Sequence, residues 1–69
     1  MTSERDTKVA TIQFLSSQAD ELREIRTRTE ARAANAPTAA LRHMTLDLAD
    51  ALSGLIRQVE DQLVKAASG

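Results

Sequence analysis

Apolar residues in the first half of the chain return at alternating steps of three and four. Ile12, Leu15, Ala19 and Leu22 carry the pattern, and Arg26, Thr29, Ala33 and Ala36 continue the spacing. This is the heptad seam of a helix that packs lengthwise against another. At 100° per residue, Ile12, Leu15, Ala19, Leu22 and Ile25 fall within one arc of roughly 140°. The seam weakens with distance along the chain. Arg26 stands where an apolar residue belongs, and Ile25 beside it is the expected replacement. Val9 lies on the far side of the arc and Phe14 at its edge.

The second half is more hydrophobic. Leu41, Met44, Leu48, Leu52, Leu55, Val59 and Leu63 form one stripe, which Ala51 and Ile56 widen to roughly 160°. Leu46 and Val64 fall outside it. His43, Asp47, Asp50, Arg57 and Asp61 supply the polar back. So wide an arc is more than one neighbouring helix covers, and it is the demand of a four-helix bundle. Gly54 falls on the polar side, at a cost of about 1 kcal/mol relative to Ala. Either a neighbour approaches closely there or it is an incidental weak point.

Between the halves lies Asn35-Ala36-Pro37-Thr38. Asn suits the left-handed conformation past a helix end. Pro37 suits the first turn of the next helix and disfavours helical geometry at Ala36, and Thr38 can cap. This order is the chemistry of a turn rather than of a kink. At the other end Thr2-Ser3-Glu4-Arg5-Asp6 reads as a helix start. Ser3 is the cap, and Glu4 and Asp6 suit the positive end of the helix dipole. Ser68 and Gly69 read as a frayed end. The expected fold is therefore all-α, a single domain over 1–69. It is a two-helix antiparallel hairpin with a helix over about 4–34, a bend at 35–38 and a helix over about 38–66, dimerising into a four-helix bundle.

Composition strengthens the dimer. The chain has 69 residues, no Cys, one His and one aromatic residue. A chain this short buries only about 60% of its unfolded surface, and the usual remedies are disulfides, a metal or association. The first is closed and the second has too few ligands. An isolated hairpin would leave three or four Leu or Ile side chains wet, forgoing roughly 1.5–3 kcal/mol each. A small domain has only about 5–15 kcal/mol in all. A symmetric homodimer with Ile12, Leu15, Leu22, Leu41, Met44, Leu48, Leu52, Leu55, Ile56, Val59 and Leu63 in its core is the simplest answer.

Candidate chemistry is sparse. His43 has no second imidazole and reads as a surface residue. Asp47 and Asp50 share a helix face and suit pairing with Arg23 or Arg26 better than a cation. Ser16 and Ser17 have no nearby base, and no Gly-rich loop offers a phosphate cradle. No catalytic, cofactor or metal site is expected. Arg23, Arg26, Arg28 and Arg32 alternate with Glu24 and Glu30, and Glu24–Arg28 has the favourable four-residue order. Around the helix they point in different directions, as on a solvated, ion-paired surface. Arg28, Arg32, Arg42 and His43 gather at the bend, the expected basic contact surface. The formal net charge is −1, so no overall basic excess points to nucleic acid. No apolar run reaches the roughly 20 residues of a membrane span, and the first residues lack the order of a signal peptide. A cytoplasmic protein without a membrane partner is expected.

Met1-Thr2, Thr7, Phe14, Ser17-Gln18 and Leu22, with Ile12, Leu15 and Ala19 in a compatible register, make the first helix similar to Rop, the plasmid RNA-binding helical hairpin. The resemblance covers under half the chain. It implies a four-helix-bundle dimer in which Phe14 and Gln18 touch RNA. Ser3, Ala10 and Ile25 depart from that family's pattern, which has Lys, Asn and Lys there, and the bend falls later. The competing class, favoured by the near-neutral charge and by exposed Phe14, Leu46 and Val64, is a small regulator of phage, plasmid or bacterial type. Such a protein binds another protein, as antiactivators of transcription factors and chaperone-like inhibitors do. Phe14, Gln18, Arg28, Arg32, Arg42 and His43 are the expected partner-binding residues in either class, and a purely structural coiled-coil segment is a third.

Overall fold

The computed structural model describes residues 3–68. Two α-helices, α1 (Glu4–Ala34) and α2 (Ala39–Ser68), lie side by side and antiparallel in a rod of 56 × 15 × 13 Å. Met1 and Thr2 of the expected helix start, and Gly69 of the expected frayed end, lie outside the described residues. Ser68 is still helical.

Capping accounts for both helix starts. The Ser3 hydroxyl accepts from the Asp6 N–H at 3.2 Å, with Glu4 and Asp6 in the positive first turn. Thr38 does the same for α2. Its hydroxyl accepts from the Leu41 N–H at 3.1 Å, and its carbonyl from the Arg42 N–H at 3.0 Å. Pro37 stands one residue before this cap, not in the first turn of α2. The bend corrects a second expectation. Asn35 has φ −104° and ψ 11°, and no non-Gly residue among those described has positive φ. Asn35 closes α1 without the left-handed turn. Its backbone N–H donates to the Arg32 carbonyl at 3.2 Å, and its side-chain amide donates to the Ala31 carbonyl at 3.0 Å. The Ala36 N–H reaches the Ala33 carbonyl at 3.2 Å. Carbonyls orphaned at the helix end are thus met by tight local bonds and a side chain.

On α1 the residues facing the partner helix are those of the heptad seam. Ala19 and Ala33 are buried, and Ile12, Leu15, Leu22, Arg26 and Thr29 are half-buried, as is Ala36 just past the helix in the bend. Arg26 keeps its place in the seam and folds its head onto Glu30 at 3.5 Å. Ile25 does not replace it and stands 45% exposed. On α2 the facing row is Thr45, Ala49, Leu52, Ile56, Val59, Leu63 and Ala66, with Ala49 and Ile56 buried. This row repeats at the same alternating steps, so both helices place positions a and d of a heptad against each other.

The seam is graded along the rod. Near the bend it is small, with Thr29, Ala33, Thr45 and Ala49, and farther away it is bulky, with Leu15, Leu22, Ile56 and Leu63. The threonines fit because their hydroxyls are satisfied within their own helix. Thr29 donates to the Ile25 carbonyl at 2.8 Å and Thr45 to the Leu41 carbonyl at 2.7 Å. Neither therefore leaves an unmet polar atom in the seam. Gly54 has no atom within 4 Å of where a Cβ would stand, so no close approach explains it.

Candidate interaction surfaces

The second apolar row of α2 is left exposed by the hairpin. The stripe expected from Leu41 to Leu63 is in fact two parallel rows set one residue apart. Leu52, Ile56, Val59 and Leu63 belong to the inner row against α1. Leu41, Met44, Leu48, Ala51 and Leu55 form the outer row at heptad positions c and g, and all five are exposed. Met44 is 66% exposed and Leu55 47%, whereas Ile56, one residue on, is 3%. Ile56 is thus central to the hairpin and Ala51 belongs outside it. The signal was present in the sequence. Leu41, Met44, Leu48, Ala51 and Leu55 keep a 3-4-3-4 spacing of their own.

In an antiparallel pair the g edges of the two helices lie on one side of the rod and the e edges on the other. Ile25 and Gln18 of α1 occupy g positions and Phe14 a c position, so they flank the outer row of α2. Phe14 is 68% exposed. The e side is polar. There Arg23 reaches across to Glu60 at 3.4 Å while also holding Asp20 at 3.1 Å. The expected pairing of Asp47 or Asp50 with Arg23 or Arg26 does not form. Arg23 takes Asp20 and Glu60, and Arg26 takes Glu30. An open groove of about 360 Å³ lies near the bend on this e side, with Glu30, Ala33, Arg42, Leu46, Ala49 and Asp50 in its walls.

The basic residues of the bend do not form one patch. Arg28 and Arg32 lie on the c and g side of α1, and Arg28 is bound to Glu24 at 2.6 Å. Arg42 lies in the groove of the opposite side, and exposed His43 follows it at a b position, outside the groove and away from the outer row. Four residues brought to one end of the rod are therefore divided between its two faces. Phe14, Gln18, Arg28 and Arg32 share a side. Arg42 and His43 do not belong to it.

Among the described residues no group of three or more His, Cys, Asp or Glu is placed to hold a metal ion. No described helix is long and apolar enough to cross a membrane. No protein-family model, curated protein or solved structure matches the chain.

Proposed function

We propose that the chain is a small non-enzymatic interaction protein that binds and modulates another protein as a dimeric helical bundle. An antiactivator of a transcription factor or a chaperone-like inhibitor is the kind of activity meant. The observation that carries this reading is the distribution of large apolar side chains. Phe14, Met44, Leu48, Leu55 and Val64 stand on the surface of a rod whose own core is one thin seam. Side chains of this size arranged along helices suit helix-in-groove recognition.

Affinity purification from the native host, read by mass spectrometry, tests the reading. Phe14→Ala and Arg28→Glu keep the helical circular dichroism of the parent and lose a partner that the parent retains. If both variants keep every partner, Phe14 and Arg28 are not on the recognition surface.

One observation supports a Rop-like RNA-binding reading beside it. Phe14, Gln18, Arg28 and Arg32 lie along the same side of α1, so a base-stacking ring and two guanidinium groups face one way. Such binding weakens steeply as salt rises. A purified sample that retards no structured RNA at low salt removes this reading.

A further inference from the structure

We infer that the outer row of α2 is the seat of a second copy of this chain, packed α2 against α2 in opposite directions with the two-fold axis at Leu48. This rests on the dimeric reading above and adds the face, the direction and the axis.

Three observations select this occupant. The first is area. A folded chain of 7.5 kDa exposes roughly 4,200 Å² by the scaling that holds for monomers, and this one exposes 5413 Å². The excess of about 1,200 Å², spread over a rod of 56 × 15 × 13 Å, leaves room for the roughly 800 Å² that each partner contributes to an interface of ordinary size. The second is charge. From Leu41 through Met44, Leu48, Ala51, Leu55 and Gln58 to Gln62 the outer row carries no ionisable group. The opposite e and b rows of the same helix hold Asp50, Arg57 and Glu60. Two copies meeting on the row itself bury no like charges. Arg28 and Arg32 of α1 and Asp47 of α2 stand at its margins, where they stay in water, and at a formal charge of −1 each the copies repel little at a distance.

The third is order. A two-fold interface must be self-complementary, because each residue meets a surface made by the same sequence. Read outward from Leu48, the row gives Met44 and Leu41 in one direction and Ala51 and Leu55 in the other. Reversed on itself about Leu48, it sets Leu41 against the partner's Leu55, long Met44 against the partner's short Ala51, and Leu48 against its own copy. A parallel pair would instead stack Met44 on Met44 and Ala51 on Ala51, leaving bulk beside a gap.

The absence of Cys from the sequence makes the test direct, since each single-Cys variant has one thiol. At micromolar concentration the parent sediments as a dimer. Leu48→Cys then oxidises to a covalent dimer of unchanged helicity, because the two thiols meet at the axis. Leu41→Cys, facing Leu55 of the other copy, and Leu46→Cys, on the opposite side of the rod, stay uncrosslinked. Leu48→Glu weakens dimerisation by at least 100-fold, while Leu46→Glu leaves it unchanged. A well-folded parent monomer at these concentrations overturns the dimeric reading, and this inference with it. A parent dimer broken by Leu46→Glu and untouched by Leu48→Glu keeps the dimer and overturns the face. Crosslinking of Leu41→Cys as efficient as that of Leu48→Cys overturns the antiparallel order.

Discussion

Leu55 and Ile56 are adjacent in sequence, alike in volume and opposite in environment. Ile56 is 3% exposed against α1, and Leu55 is 47% exposed on the outer row. The same contrast repeats along α2 in Leu48 beside Ala49 and Met44 beside Thr45. Two heptad rows run side by side, and the hairpin consumes one. The contrast separates two kinds of stability. Inner-row burial is present in every molecule, whereas outer-row burial exists only when something lies on it, and so depends on concentration.

The sharpest way to break this contrast is to cut both neighbours to the same side chain. Ile56→Ala removes buried methyl groups from the thickest part of the seam and is expected to cost about 2–5 kcal/mol, which in so small a domain abolishes cooperative melting. Leu55→Ala is expected to change the melting of dilute protein by no more than about 0.5 kcal/mol, as exposed substitutions do. At high concentration its effect grows. Thermal melts followed by circular dichroism over a hundredfold range of concentration separate the two. Equal losses at every dilution would mean that the rows are not distinct.

Arg26 offers a smaller lever on the inner row alone. It occupies an a position, half-buried, with its charge turned out to Glu30. The aliphatic part of the side chain packs while the guanidinium group remains wet. Arg26→Leu places an apolar residue where the heptad asks for one and gives up an exposed ion pair. It is expected to stabilise the hairpin by roughly 1–2 kcal/mol, since half-burying Leu outweighs a surface pair. The melting temperature rises at all concentrations, because the outer row is untouched. A fall would mean that the Arg26–Glu30 pair matters more than the packing beneath it.

Much of the hairpin was legible in sequence because local signals agreed. Ser3 and Thr38 cap, Pro37 interrupts, and the α1 seam from Ile12 to Ala36 is the one the structure buries. Along the helices periodicity, not hydrophobicity, decides orientation. Ile25 is apolar, yet the heptad turns it out and Arg26 in. The leucines of α2 merged into one wide stripe because small Ala49 and Thr45 gave little hydrophobic signal. They nonetheless set the true inner row. The basic cluster divides for another reason. Closeness to the bend fixes height along the rod, whereas the face depends on heptad position, which separates Arg28 and Arg32 from Arg42 and His43.

The smallest expected effect compares the two edges of the seam. The g edge carries Ile25 of α1 and Leu41, Leu48 and Leu55 of α2, with Gln18 and Arg32 in the same rows. The e edge carries the Arg23–Glu60 bridge between helices, 3.4 Å long, with both side chains about half exposed at 45% and 50%. Arg23 also holds Asp20 at the shorter distance of 3.1 Å. Removing Glu60 therefore leaves the guanidinium group paired within its own helix, and removing Asp20 leaves it paired across. Neither loss strands a charge, and both partners sit in water, where such pairs contribute about 0.2–1 kcal/mol. A double-mutant cycle of Arg23→Ala and Glu60→Ala should give a coupling energy near the bottom of that range. It should fall further in 1 M salt, where the screening length is about 3 Å. Glu60→Gln should leave the oligomeric state unchanged, because the e edge lies on the side away from the outer row. A coupling above about 2 kcal/mol, or one indifferent to salt, would mean that the e edge is covered in the assembled protein and that the two sides of the rod are not divided into a wet edge and a docking edge.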